Sequence, residues 1–122
     1  MANPGIHKTY KVVGELASYR IVALAGTGGN MTVSQAASAS AALIGTTDEL
    51  GKQSNGTADI AMSGMPEVEC GGAVAVGAPL TADADGKAVT ATAAGARIIG
   101  FALEDGAASV IITYQHTLGF KA

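Results

Sequence analysis

Short apolar runs, most of them alternating with polar residues, recur along the whole chain. Residues 19–24 (Tyr-Arg-Ile-Val-Ala-Leu) are rich in strand formers, and residues 57–62 place Ala58, Ile60 and Met62 on one face. A repeat of two residues is typical of half-buried β-strands. The candidate strands cover residues 10–13, 19–24, 31–34, 42–46 and 57–62, a short piece at Leu80, and residues 87–92, 97–103 and 109–115.

Clusters of turn-forming residues separate these runs. They are Gly26-Thr27-Gly28-Gly29-Asn30, Ser54-Asn55-Gly56, Gly71-Gly72, Asp85-Gly86 and Asp105-Gly106. Many short strands between such turns predict an all-β fold, either a compact β-barrel or a β-sandwich. We expect residues 31–34 to return as the hairpin partner of residues 19–24, across a glycine-rich tip.

One segment has a different pattern. Residues 34–42 (Ser-Gln-Ala-Ala-Ser-Ala-Ser-Ala-Ala) have good helix propensity but no large apolar stripe to anchor a helix. A short helix and an irregular crossover are both compatible with this segment, so we expect at most one short helix. The length is that of one domain. The expected organisation is an N-terminal arm at residues 1–10 followed by a single β domain at residues 11–122.

The chain contains a weak internal repeat. Residues 31–33, followed by Leu43-Ile44-Gly45 and an acidic pair before Gly51, resemble residues 88–90, followed by Ile98-Ile99-Gly100 and an acidic pair before Gly106. A duplicated β-unit would make the barrel pseudo-symmetric. Chance similarity between strands rich in alanine and glycine is the alternative.

Composition indicates a thin core. The chain of 122 residues has 25 Ala and 17 Gly, whereas Val, Ile, Leu and Phe together number only 26. Charged residues make up 14%, against about 25% in an average soluble domain. None occurs from Ile21 to Thr47, and charge is depleted at the cores of protein interfaces. We therefore expect much of the stability to come from contacts between chains.

Charge and cysteine content argue against several classes of partner. The net charge is −3 and no basic patch is visible, so we expect no nucleic-acid binding. The uncharged run is interrupted by glycines and polar residues, so we expect no membrane insertion. The first residues lack a charged region followed by an apolar stretch, so we expect no secretion signal. Cys70 is the only cysteine, which favours synthesis in a reducing cytoplasm.

We find no convincing catalytic, cofactor or metal motif in the sequence. His7 and His116 lie near the two ends, and Cys70 precedes two glycines without a recognisable base, so it is interpreted as a small buried apolar residue. The Asp83-Ala84-Asp85-Gly86 run begins like a calcium loop, but it continues with Lys87 and lacks the later carboxylates. A hairpin turn explains it better.

Two other candidate sites are interpreted as turns. The glycines at residues 26–29 lack the lysine of a phosphate-binding loop and precede a strand rather than a helix. The acidic pairs Asp48-Glu49 and Glu104-Asp105 stand next to glycine-containing turns and are expected to be solvated. Lys87 follows a turn, but its neighbours do not match the motif of a lipoyl or biotinyl carrier. We therefore expect no enzyme activity and no cofactor.

The second half of the chain resembles phage capsid cement proteins, also called head decoration proteins. Residues 74–89 are similar to their V-x-x-G-x-P-L-T-x-D-x-x-G-K-A-V stretch, and residues 95–106 to their G-x-x-I-I-G-x-A-L-E-x-G stretch. The resemblance covers roughly residues 12–115. It implies a compact β-barrel or β-sandwich that binds the outer surface of a virion and bridges subunits of the major capsid protein. It also implies a homo-oligomer, as a trimer or less often a dimer.

The chain ends are the expected contact segments. Ala2 to Tyr10 is polar enough to be loose in the free protein, and the C-terminal end carries isolated apolar residues. The candidate capsid or subunit contacts are Pro4, Ile6, His7, Tyr10, Leu118 and Phe120. Two alternatives stay open, namely a tail or adhesin-type structural module and a small-molecule-binding β-barrel. The low aromatic content, 4%, offers little to line a ligand pocket.

Overall fold

The computed structural model describes residues 7–25, 32–53 and 56–121, with His7 described in its backbone only. These residues form β-strands and connecting turns, and no helix occurs within the described ranges. The strands are β1 (His7–Val12), β2 (Ile21–Leu24), β3 (Thr32–Gln35), β4 (Leu43–Thr47), β5 (Thr57–Ala61), β6 (Glu67–Glu69), β7 (Pro79–Ala82), β8 (Ala88–Thr90), β9 (Arg97–Ala102) and β10 (Ile111–Phe120).

The first half of the chain, β1 to β5, is a closed barrel in the order β1-β3-β2-β4-β5. The hairpin between β2 and β3 is antiparallel, as predicted, although its glycine-rich tip lies outside the described residues. The barrel closes because β1 pairs antiparallel with β5 on one side and parallel with β3 on the other. Closure leaves no unpaired edge among the described strands of this half.

The second half, β6 to β10, is a five-stranded sheet in the order β6-β10-β9-β7-β8. If β1 is matched to β6, β2 to β7, and so on to β5 and β10, each strand has the same neighbours in both halves. Even the parallel closure has a counterpart, since a single parallel bridge joins Cys70, just after β6, to Ala88 of β8. The all-β fold predicted from the sequence is confirmed, and it consists of two related five-stranded units.

Two glycines show how closely the units match. Gly45 lies opposite Val22 between β4 and β2, and Gly100 lies opposite Leu80 between β9 and β7. A Cβ atom on Gly45 would collide with the Ala61 carbonyl oxygen, and one on Gly100 with the Gln115 carbonyl oxygen. The sequence repeat aligns Gly45 with Gly100, and both must be glycine for the same reason. In each unit the backbone of a neighbouring strand lies too close to leave room for a side chain.

The strand registers correct one detail of the sequence repeat. Val33 of β3 and Ala88 of β8 are the partners in the two parallel pairings, so these residues are equivalent. The sequence repeat instead matches Met31 with Ala88, which is two residues out of register. Since strands repeat every two residues, this shift preserves the pattern of inward and outward positions and leaves no trace in the sequence.

The apolar side chains form two main clusters. One fills the barrel and is built from Tyr10, Leu16, Val22, Val33, Ala58 and Ile60. The other fills the second half, and residues of the first half contribute to it. These are Ile21 and Ala23 of β2, Ala36 after β3, and Leu43 of β4. The outer face of β2 and β4 therefore packs against the interior of the second half and joins the two units.

Several elements differ from the sequence-based expectations. Residues 36–42 form an irregular crossover, which was one of the two predicted alternatives. Strand β6 was not predicted, because Glu-Val-Glu has only one apolar residue. Strand β1 begins at His7, so residues 7–10 of the expected arm belong to the barrel, where each of them pairs with β5.

Candidate interaction surfaces

Asp83, at the start of the run that resembles a calcium loop, shapes a turn. The Asp83 carboxylate accepts hydrogen bonds from the backbone N–H groups of Asp85 and Lys87, both at 2.8–2.9 Å, which builds a tight turn. A turn at this position was predicted. Across residues 7–25, 32–53 and 56–121, no cluster of three or more His, Cys, Asp or Glu side chains could hold a metal ion. No helix long and apolar enough to cross a membrane occurs in the same ranges.

Cys70 is fully buried beside the parallel bridge to Ala88. Burial raises the pKa of its thiol, and the nearby carboxylates of Glu104 and Glu69 raise it further. Both effects disfavour the reactive thiolate. The interpretation of Cys70 as a small buried apolar residue is therefore confirmed.

An outward-facing apolar patch lies on β9, the residue that follows it, and β10. Phe101, Leu103 and Ile111 are 40%, 44% and 42% exposed, and they flank the buried residues Ala102 and Ile112. Phe101 lies opposite Gln115, and the Leu103 N–H donates to the Thr113 carbonyl at 3.1 Å. Side chains at these cross-strand and diagonal positions lie within reach of one another. We call Phe101, Leu103 and Ile111 the β9–β10 patch.

Sequence analysis did not identify this patch as a site. The signal was present, because the alternation in residues 97–103 places Phe101 and Leu103 on one face. That pattern alone cannot say which face is buried. Only the packing of Ala102 and Ile112 into the core shows that the larger side chains face solvent.

The predicted C-terminal contact residues lie at the far end of β10. Leu118 and Phe120 are exposed, and the Arg97 guanidinium lies 5.2 Å from the centre of the Phe120 ring. Phe120 pairs with Arg97 across the two strands, so the cation–π contact is held by the ladder. A surface of two apolar side chains and one cation results.

The predicted N-terminal contact residues have different positions. Pro4, Ile6 and the His7 side chain lie outside the described residues. Tyr10 is only 7% exposed, packs in the barrel core and donates its hydroxyl hydrogen to the Met62 sulfur at 3.4 Å. Tyr10 points inward because its neighbours on β1, Thr9 and Lys11, take the exposed alternate positions.

His7 at the start of β1 lies two strands from β4, whereas His116 of β10 contacts β4 directly. His7 pairs with Ala61 of β5, and Ala61 pairs in turn with Thr46 of β4. The His116 ring of β10 forms a 2.9 Å hydrogen bond with the Ile44 carbonyl, also on β4. Adjacent strands are about 4.8 Å apart. Phe120 ends β10 beyond His116, so the end of this strand lies farther from Ile44 than His116 does.

Polar contacts fix the two halves against each other. The hydroxyls of Thr46 and Tyr114 are 3.0 Å apart and buried. Burial raises the pKa of Tyr114, and the hydrogen bond to Thr46 offsets this only in part. Glu69 forms ion pairs with Lys87 at 3.2 Å and Arg20 at 3.7 Å, of which the second joins the two halves.

Comparison with known proteins agrees with this architecture. A family model described as phage cement protein matches residues 6–114. The chain belongs to this phage cement protein family. A search of curated proteins finds no match. Cement proteins of phages are capsid-associated structural proteins, and this is the role that membership gives the chain.

A solved phage structure has the same fold. The crystal structure of the head fiber gp8.5 N base in bacteriophage phi29 superimposes with a TM-score of 0.65. The alignment covers 92% of this cement protein and 93% of that chain, at 20% sequence identity. At this identity the likeness concerns the fold, and it extends over both five-stranded units.

Proposed function

We propose that the protein binds the outer surface of a phage head and bridges neighbouring subunits of the major capsid protein. The observation that carries this proposal is the exposed apolar surface of the second half, in a chain that belongs to a cement family. Groups of large apolar side chains on a protein surface often mark sites where a partner binds. The proposal includes a homo-oligomer, a trimer rather than a dimer, made in the host cytoplasm and without catalytic activity.

Bridging acts by linking subunits that would otherwise separate. Each bound copy must be released, or its contacts broken, before adjacent capsid subunits can move apart. Several weak contacts from one oligomer act together, because the second contact forms at a high effective concentration. A cement of this type needs a rigid body rather than a reactive site. The shared core and the buried Thr46–Tyr114 hydrogen bond support such rigidity.

We propose that the capsid contact is made by the N-terminal residues Pro4, Ile6 and His7, together with Leu118 and Phe120. The C-terminal part is supported by its exposure, since Leu118 and Phe120 are 51% and 66% exposed at the end of β10. Exposed Leu118 and Phe120 supply apolar area, and Arg97 supplies a cation. Tyr10 is left out of this contact because it packs inside the barrel.

The test is binding to undecorated heads of the source phage, measured by co-sedimentation. We expect the full chain to bind and to raise the temperature at which heads disrupt. Removing residues 2–6, which leaves β1 intact, and replacing Leu118 and Phe120 by Asp should each weaken binding about tenfold or more.

Leu24→Asp is the matched control, because Leu24 and Leu118 are both 51% exposed and Leu24 lies on β2. We expect this variant to bind as the full chain does. A full chain that does not bind heads would refute the proposed function. Unchanged binding after both the deletion and the C-terminal substitutions would refute the contact segments alone.

A further inference from the structure

Two carboxylates border the β9–β10 patch. Glu104 and Asp105 follow Leu103 directly, and both side chains are exposed. The Thr113 N–H donates to the Glu104 carboxylate at 2.8 Å. The Val76 N–H donates to the Asp105 carboxylate, also at 2.8 Å. Each backbone hydrogen bond holds a charged group beside the apolar side chains, so the patch is an apolar surface with two positioned negative charges.

These carboxylates form no ion pair with the described residues. Both ion pairs within residues 7–25, 32–53 and 56–121 belong to Glu69. Val76, which is 62% exposed, adds a further apolar side chain next to Asp105. A partner that fits this surface brings a positive charge flanked by apolar side chains. Complementary charge orients such a contact, and burial of apolar area stabilises it.

The other end of the same sheet face carries the opposite charge. Arg97 lies on β9 four residues before Phe101, so both side chains point to the outer face. The Arg97 guanidinium lies 5.2 Å from the centre of the Phe120 ring. Arg97 and Leu103 are separated by six residue steps, or about 20 Å at the rise of a strand. One face of two paired strands thus presents a cation at one end and two anions at the other.

Two ends of opposite charge do not recognise the same segment of a partner. The end with Arg97 favours an anionic segment, whereas Glu104 and Asp105 favour a cationic one. Identical subunits packed around a rotation axis place different parts of neighbouring subunits against each other. A protein with two unlike contact surfaces about 20 Å apart fits such a junction, because each surface contacts a different subunit.

We infer that the β9–β10 patch, with Glu104 and Asp105, binds a segment of the capsid protein in which Lys or Arg lies beside large apolar side chains. The surface formed by Arg97, Leu118 and Phe120 contacts the neighbouring capsid subunit. A single copy then bridges two subunits. This second contact rests on the proposed function and deepens it by naming the chemistry of the segment that is bound.

The test removes the two negative charges and keeps the backbone hydrogen bonds. Glu104→Gln combined with Asp105→Asn leaves an oxygen to accept each N–H. Binding to undecorated heads, measured by co-sedimentation, should weaken about tenfold. The combination Glu104→Lys and Asp105→Lys should bind more weakly still, because like charges then meet. Glu15→Gln with Glu49→Gln, at exposed acidic residues of the first half, is the matched control and should bind as the wild type does.

Head stability tests the bridge separately from binding. At concentrations that saturate the heads, the neutral variant of Glu104 and Asp105 should raise the temperature of head disruption less than the wild type does. Its C-terminal surface still holds one subunit, whereas its link to the second is weakened. Circular dichroism of each variant verifies the fold. Unchanged head binding by the neutral variant, or an equal rise in disruption temperature, would overturn the inference.

Two other results would identify a different occupant. Stronger binding by the charge-reversed variant would overturn the inference, because the partner segment would then be anionic. Sedimentation velocity of the free proteins measures self-association. If the neutral variant lost self-association together with head binding, a second copy would occupy the patch and the inference would be wrong. Heads that do not bind the wild-type protein would instead refute the proposed function itself.

Discussion

The two halves of this protein have one strand order and two different ways of completing a core. The first half closes its barrel and fills it with its own side chains, Tyr10 and Ile60 among them. In the described second half one parallel bridge joins Cys70, after β6, to β8, and the core includes Ile21 and Leu43 of the first half. A unit that borrows part of its core depends for stability on the other unit of the same chain.

The largest expected effect comes from the paired glycines. Gly45→Ala and Gly100→Ala should each lower the free energy of unfolding by about 3 kcal/mol, because the new methyl group would meet a backbone carbonyl that cannot move aside. Urea unfolding followed by circular dichroism measures both. Gly72→Ala is the matched control, since nothing lies within 4 Å of its added methyl group. If one of Gly45→Ala and Gly100→Ala left the free energy of unfolding unchanged, the two units would not be packed alike at this position.

An intermediate effect is expected at the hydrogen bond between the halves. Tyr114→Phe leaves the buried Thr46 hydroxyl without this partner, and Thr46→Val leaves the Tyr114 hydroxyl without it. Each change should cost about 1–2 kcal/mol, and the double variant should cost less than the sum of the two. Strict additivity, measured in a double-mutant cycle, would mean that the two hydroxyls do not interact.

The same tyrosine predicts a pH dependence. Burial raises the pKa of Tyr114 above its ordinary value of 10.0, so the folded state holds this proton more tightly than the unfolded state. The stabilisation is complete below about pH 10 and is lost as the pH rises further. Chemical unfolding from pH 8 to pH 11 should show a steeper loss for the wild type than for Tyr114→Phe. Parallel curves would contradict a buried, protonated Tyr114.

The smallest effect is expected at the ion pairs of Glu69. Glu69→Gln removes its contacts with Lys87 and Arg20 and should cost less than about 1 kcal/mol, since all three side chains are partly exposed. The loss should shrink further at high salt. Lys11→Gln at the equivalent position of the first half is the control and should change stability less. Thermal unfolding at low and high salt measures both, and a salt-independent loss would assign the effect to packing.

The sequence predicted much of the fold because strand signals are local. The alternation in residues 57–62 and the turn residues around Asp85-Gly86 mark elements without reference to the rest of the chain. Strand β6 was not predicted because Val68 is its single apolar residue, and its pairing with Ile112 decides its conformation. Of the predicted contact residues, Leu118 and Phe120 are exposed, whereas Tyr10 is buried. A tyrosine on a strand fits either environment, and only the barrel decides between them.

The sequence by itself determined that the chain forms short β-strands, that its core is thin, and that its second half resembles cement proteins. Periodicity, turn residues and composition carry that information locally. Tertiary structure alone decided that the second unit takes up Ile21 and Leu43, and that Phe101 faces solvent where Thr46 is buried. The physical reason is that burial depends on which face of a sheet meets another unit, and a repeat of two residues marks both faces equally.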